Sequence, residues 1–435
     1  MSRRSIGWKR ASRVLVWVAV SALMTPALWA GELTALVGAT VHPISGPAIE
    51  DGVVLMRDGV IEGIGNGIEV PSEARRIELD GKHIYPGFVH PLTPLGLSEI
   101  GSVRGSVDTR EIGDNNSDIR AEVAFNADSL RLPAALAGGV TSALVYQNGG
   151  LFSGTSAMMR LEGWNWQDMV IEAPVGLHLM FPAVAETGDD DDEEASEASK
   201  KALKELEQWL ARAQAYSKAD RAGLKGLEAN PKLERLVSLV DGELRLFVHV
   251  AGRSQIGEAL DWLAEQSFED VVLVLDYNAR YLADRLKEAG HPVILNGVHD
   301  LPDNSWEPYD AVYGAAAVLH EAGVTFCIGD GGSGFGSSNA RNLPFQAAMA
   351  VAYGLDREQA LRGITLGAAE ILGVADRLGS LEPGKEASLM VTNGDPLESI
   401  TSIEHVFVAG REIDPGDNHQ HRLYRKYAER PKPAD

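Results

Sequence analysis

Two ionisable side chains stand where an apolar run gives out. His249 ends the run Leu244-Arg245-Leu246-Phe247-Val248-His249, and Asp330 follows Val324–Gly329 and leads into Gly331-Gly332-Ser333-Gly334. Imidazole nitrogen and carboxylate oxygen both ligate Zn²⁺ and similar ions. A carboxylate can also take a proton from water. A lone histidine at a strand end is more often structural. Asp330 carries more weight, because the glycines after it open the backbone to a ligand. Other chemistries lack their residues. No Gly-x-Ser-x-Gly elbow and no reactive-cysteine context is present. Neither Gly149–Gly154 nor Gly331–Gly336 matches a P-loop or a dinucleotide fingerprint.

The elements that must carry these residues read as alternating β and α. Val140–Tyr146, Val175–Phe181, Leu244–Val250, Val271–Leu275, Pro292–Gly297 and Val324–Ile328 are short apolar runs of buried-strand type. Helical stretches separate them, at Leu130–Ala137, Lys200–Lys218, Gln255–Ala264, Ala279–Ala289, Ala311–Glu321 and Asn342–Tyr353. The alternation predicts parallel strands with crossover helices. Its length suits an α/β (β/α)₈ TIM-type barrel, with a doubly wound open sheet as the alternative. If the barrel holds, both residues sit at its catalytic rim. Short β segments flank this region. Thr34–Val41, Gly52–Arg57 and Val60–Ile64 come before it, with a tight turn at Asp58-Gly59. Leu389–Thr392 and Ile403–Ala409 come after it.

Composition narrows the partners. The 435 residues, 45% hydrophobic, can bury a large core, and the formal charge of −23 argues against nucleic acid or an anionic surface as partner. Residues 1–30 read as an export signal: Arg3, Arg4, Lys9, Arg10 and Arg13 precede apolar Val14–Leu28, with a cleavage point at Ala30-Gly31. The apolar run is short for a membrane span, so no stable span is expected after its removal. The Arg3-Arg4 pair hints at the twin-arginine route. A periplasmic or secreted location is the expectation. Cys327 is the one cysteine and sits in an apolar run, so no internal disulfide forms and the thiol is a packing residue. The block Asp189–Glu194 is a solvated acidic loop without the spacing of a calcium loop.

The stretch His83-Ile84-Tyr85-Pro86-Gly87-Phe88-Val89-His90-Pro91-Leu92-Thr93-Pro94 resembles the opening signature of the amidohydrolase superfamily. That signature reads Pro-Gly, two apolar residues, Asp, any residue, then His-x-His. Here Leu92 and Pro94 replace the two histidines and His90 replaces Asp. Gly379-Ser380-Leu381-Glu382-Pro383-Gly384-Lys385 resembles the family's closing motif, and the loops from Leu97 to Ser129 and at Gly149–Gly154 resemble an exported, imidazolonepropionase-like subgroup. The resemblance implies a composite β-sandwich from 31–85 and 378–413, a barrel over 86–377 and a peripheral tail over 414–435.

It also implies hydrolysis of a carbon–nitrogen bond, in an amide or cyclic amide, by metal-activated water. The substrate would be a small molecule and the ion a divalent metal, zinc by analogy. His249 and Asp330 correspond to the fifth- and eighth-strand ligands, with Asp330 as general base. His90 and Asp276 are the nearest replacements for the missing ligands. In the loops, Arg104, Glu99, Asn126, Gly150 and Ser153 are assigned to substrate binding. Arg104 either clamps a carboxylate or pairs with Glu99. The competing reading is a catalytically silent paralogue that binds a ligand or partner at the barrel mouth. A homo-oligomer is compatible with either.

Overall fold

The computed structural model describes residues 33–182, 192–223, 226–331 and 336–430. The expected export signal, Asp189–Asp191 of the acidic block and Gly332–Phe335 lie outside the described residues, and Asp192–Glu194 open the helix Asp192–Arg221 rather than continuing a loop. Among the described residues sixteen strands form two eight-stranded sheets. The strands before the key stretch are β1 (Thr34–Val41), β2 (Ile49–Arg57), β3 (Val60–Gly65), β4 (Arg75–Glu78) and β5 (His83–Pro86). Next come β6 (Phe88–Thr93), β7 (Val140–Val145), β8 (Phe152–Arg160), β9 (Val170–Met180), β10 (Leu246–Val250), β11 (Val271–Leu275), β12 (Val293–Asn296) and β13 (Phe326–Gly329). The chain closes with β14 (Leu389–Thr392), β15 (Ile403–Val408) and β16 (Arg411–Ile413).

The first sheet runs β16-β15-β14-β5-β1-β2-β3, with β4 beside β1, so it joins strands from both ends of the chain. β14 pairs antiparallel with β5, Leu389 opposite Pro86 and Thr392 opposite His83. Its core gathers Leu36, Val54, Ile61, Ile84, Leu389, Val391 and Phe407. From there the chain crosses at Gly87, whose N–H bonds the Ser388 carbonyl at 3.0 Å. A Cβ on Gly87 would lie 2.1 Å from Thr141 Oγ1, so only glycine lets β6 lie this close to β7.

The second sheet runs in strict chain order from β6 to β13. A doubly wound sheet would reverse direction part-way; this one instead curls until β13 packs against β6, a nearly closed barrel. One strand departs from the parallel expectation. β8 runs antiparallel to both β7 and β9. Its connection from β7 is six residues long, 146–151, too short for the crossover a parallel partner requires. Inside the barrel Val89, Leu92, Leu144, Tyr146, Met158, Phe247, Val272, Val274, Ile294 and Cys327 pack into one apolar cluster. The Cys327 thiol is fully buried there, and burial pushes its pKa up.

Candidate active site

At the C-terminal end of the barrel strands the ionisable groups meet in two pairs. His90 on β6 faces Asp330 just after β13, with Nε2 3.2 Å from Oδ2 and both side chains fully buried. The distance is that of an ion pair, but its alignment falls short of a hydrogen bond. The Leu92 N–H points at His90 Nδ1 from 3.4 Å, so that nitrogen is placed as the acceptor and Nε2 faces Asp330. Asp330 is placed from behind. Asn296, at the end of β12, donates its amide to the Gly331 carbonyl at 3.3 Å and accepts the Gly331 N–H at 3.1 Å. Gly331 takes a φ of +100°, open to glycine and strained for other residues.

The second pair is His178 on β9 and His249 on β10, with Nδ1 and Nε2 2.7 Å apart. His178 lies between the rings of Phe247, at 4.6 Å, and Tyr146, at 5.0 Å. Tyr146 also stacks on His249 at 5.2 Å. In this aromatic box a charged imidazole loses its water. Burial holds the His178 pKa well below the usual histidine range, with His249 adding to the effect, and pushes His249 down to about 3. Both rings are neutral at pH 7. His249 as a whole residue is half-buried. Burial raises the Tyr146 phenol to about 12; a hydrogen bond from Asn148 acts against this, and the nearby Asp330 charge adds to it. Tyr146 thus stands between the two pairs.

The remaining expected residues are dispersed. Leu92 and Pro94 are buried, Leu92 in the barrel cluster. The β6–β7 ladder shifts register on both sides of His90, so strict alternation does not govern where His90 and Leu92 point. Asp276 directly follows β11. It caps a short helical turn, accepting N–H groups of Gly252 at 2.8 Å and Asn278 at 3.0 Å. Arg104 is exposed, and among the described residues its guanidinium has neither Glu99 nor another acid as ion-pair partner. Glu99 instead accepts from Asn126 at the 3.5 Å limit. Ser153 is buried, its Oγ accepting the Gly149 N–H at 3.1 Å, so that N–H is not offered to an anion. Gly150 packs its backbone against Gly113, where a Cβ would lie 2.4 Å from the carbonyl oxygen.

Sequence reasoning passed over Tyr146 and Arg131, and it placed His178 as an inward-facing histidine without its partner. Tyr146 ends its apolar run as His249 does, a signal that was available. His178 is polar in the middle of an apolar strand, and only the fold brings it to His249. Arg131 donates to the Glu99 carbonyl at 2.6 Å and to Ser337 Oγ, tying the loop after β6 to the helical turn Gly336–Asn339.

Known proteins share this architecture. The family model described as "Amidohydrolase family" matches residues 262–413. A solved amidohydrolase structure from Thermotoga maritima MSB8 superposes with a TM-score of 0.76 at 26% identity, over 87% of this chain and 99% of that one. An imidazolonepropionase of Porphyromonas gingivalis is 24% identical over 407 residues, 86% of this chain and 91% of its own. The family match and these relatives support an amidohydrolase-superfamily, imidazolonepropionase-like chain. A further relative, the amidohydrolase tasK of Hapsidospora irregularis, is 23% identical over 422 residues, and the chain spans 41% of its length.

Amidohydrolases are hydrolases of carbon–nitrogen bonds and generally use divalent metals. Among the described residues no group of three or more His, Cys, Asp or Glu is arranged to hold an ion. The His178 and His249 nitrogens at 2.7 Å share a hydrogen bond. Two nitrogens on a tetrahedral zinc, at about 2.0–2.1 Å each, would stand about 3.3 Å apart. The other two candidates, His90 and Asp330, are turned on each other. In this arrangement the described side chains do not fit a three-ligand site.

Proposed function

We propose that the chain hydrolyses a carbon–nitrogen bond in a small amide or cyclic amide at the C-terminal end of its barrel, with Asp330 as general base. What supports the reading is the gathering of His90, Asp330, His178 and His249 at one end of the strands in two close pairs. Barrel enzymes carry catalysis at that end, and buried ionisable groups with displaced pKa values mark such sites. Asp330 accepts the proton of the attacking water, and His90 Nε2, 3.2 Å away, steadies the carboxylate. Neutral His249, half-buried as a residue, hydrogen-bonds the substrate, since a ring held down to about 3 cannot serve as a cationic acid at pH 7. Metal-activated water, which the family resemblance suggests, is assigned no step here. The apolar N-terminus behind its basic residues supports export, and mature protein beginning at Gly31 would be its mark.

The test is a panel of N-acyl amino acids and cyclic amides, run with and without a chelator. Hydrolysis that persists in chelator and falls at least about a hundredfold in Asp330→Asn is expected. Loss of activity in chelator, restored by Zn²⁺, would overturn the metal-independent route. A second reading, a silent paralogue that binds such a ligand, is favoured by Leu92 and Tyr146 filling the barrel interior. A ligand that raises the melting temperature without being turned over identifies that case.

A further inference from the structure

We infer that His178 is a positioning residue: it holds His249 in the tautomer with its proton on Nδ1, so that His249 offers the substrate an N–H donor. The use of that donor rests on the hydrolysis proposed above; the tautomer does not. The two rings share one bond, between His178 Nδ1 and His249 Nε2 at 2.7 Å. A neutral imidazole has one N–H and one bare nitrogen, and burial keeps both rings neutral. Two arrangements are open. In one, His249 Nε2–H donates, and the proton of His178 lies on its own Nε2. That atom is buried and has no hydrogen-bond partner among the described residues. In the other, His178 Nδ1–H donates, and only a bare nitrogen is stranded at Nε2. A buried N–H without an acceptor is the rarer defect in folded proteins. The second arrangement is therefore favoured, and it puts the proton of His249 on Nδ1. Phe247 lies parallel to His178, with 5° between the planes, and Tyr146 stacks on both rings. A flip of either ring inside this box would break the shared bond.

The tautomer selects the substrate. His249 Nε2 is spent on His178, so Nδ1 is the nitrogen left for a ligand, and it gives a hydrogen bond rather than taking one. The group opposite it is an acceptor. In an amide that group is the carbonyl oxygen, where negative charge gathers as water adds to the carbon. The water oxygen bonds to that carbon, its proton passes to Asp330, and the π pair of the carbonyl moves onto the oxygen held by Nδ1–H. A neutral imidazole suits this work, because it lends a donor without giving up its proton. An amidine, protonated at pH 7, presents only N–H groups at the same place and meets Nδ1–H donor to donor. The substrate class is a carbonyl amide.

Long-range nitrogen–proton NMR correlation of the full chain, labelled in its histidine rings and recorded at neutral pH without substrate, reads the tautomers. His249, assigned by the signals lost in His249→Gln, is expected in the Nδ1–H form. The Nε2–H form overturns the proposal. His178→Phe keeps a buried ring but removes the donor. It should shift His249 toward Nε2–H and lower kcat on a lactam at least about tenfold, with KM within about twofold. His178→Asn puts an N–H back at the δ position and should restore the Nδ1–H form and most of the lost rate. A His249 that stays Nδ1–H in His178→Phe overturns the positioning role. Faster hydrolysis of a cyclic amidine than of the lactam of the same ring overturns the substrate class. If the parent hydrolyses neither, the hydrolytic reading falls, while the spectrum still decides the tautomer.

Discussion

His178 and His249 share one hydrogen bond inside a box of aromatic rings, and burial there holds both neutral. That arrangement makes stability depend on acid. The folded pKa of His249 is about 3 and its ordinary value 6.5. Between those values the unfolded chain binds a proton that the folded chain refuses, so stability rises with pH there. The stabilisation is fully present above about pH 6.5 and is lost as pH falls toward 3. Melting temperature measured from pH 8 to 4 should therefore drop through this window, and His249→Gln should flatten the drop. At the other pair, His90→Ala and Asp330→Ala each leave a buried partner behind. A double-mutant cycle by denaturant titration should give a coupling of about 0.5–3 kcal/mol. His249 and Asp330 were legible because each closes an apolar run. The His178–His249 contact was not, because its members lie 71 residues apart and meet only through the β9–β10 ladder. Asp276 looked like a ligand by position, but backbone N–H groups reach its carboxylate first.

At the scale of elements, the barrel was legible from the spacing of apolar runs, and its one irregular strand was not. Phe152–Arg160 mixes Ser, Gly and Thr into its first half, so it lacks the continuous apolar signature of its neighbours. The short link from β7 held the information, since a six-residue connection favours an antiparallel partner. Gly87 shows how tightly the entry into the barrel is drawn. Gly87→Ala forces a methyl group against Thr141 and should cost about 1–3 kcal/mol. Gly101→Ala, where no atom lies within 4 Å, is the control and should leave the melting temperature unchanged. The barrel's last join is also an element-scale matter. No ladder links β13 to β6 among the described residues, and the His90–Asp330 contact spans that seam. The groups proposed to do the chemistry also close the barrel.

For the whole molecule, the first sheet ties the two ends of the chain into one layer. Leu389, Val391 and Phe407 enter the same core as Leu36 and Ile84. A chain ending at Ser388 strips β5 of its β14 partner and should not fold, by circular dichroism and by rapid proteolysis. A chain ending at Asn418 keeps every strand of the sheet and should retain its far-ultraviolet spectrum. The turn signals at Asp58-Gly59 and the Gly379–Lys385 motif made both ends readable as β structure. Which strand meets which was not readable, because pairing is a property of the assembled layer.

The β5–β14 pairing also sets a timetable. About 300 residues separate Pro86 from Leu389. At synthesis rates of about 5–20 residues per second, one edge of β5 waits about 15–60 s for its neighbour. Through that interval the nascent chain carries a half-built sheet with an open hydrogen-bonding edge, the kind of surface on which chains stick to one another. The protein cannot finish its first layer until nearly all of it has been made. Its yield therefore depends on what shields that edge while the ribosome is still working.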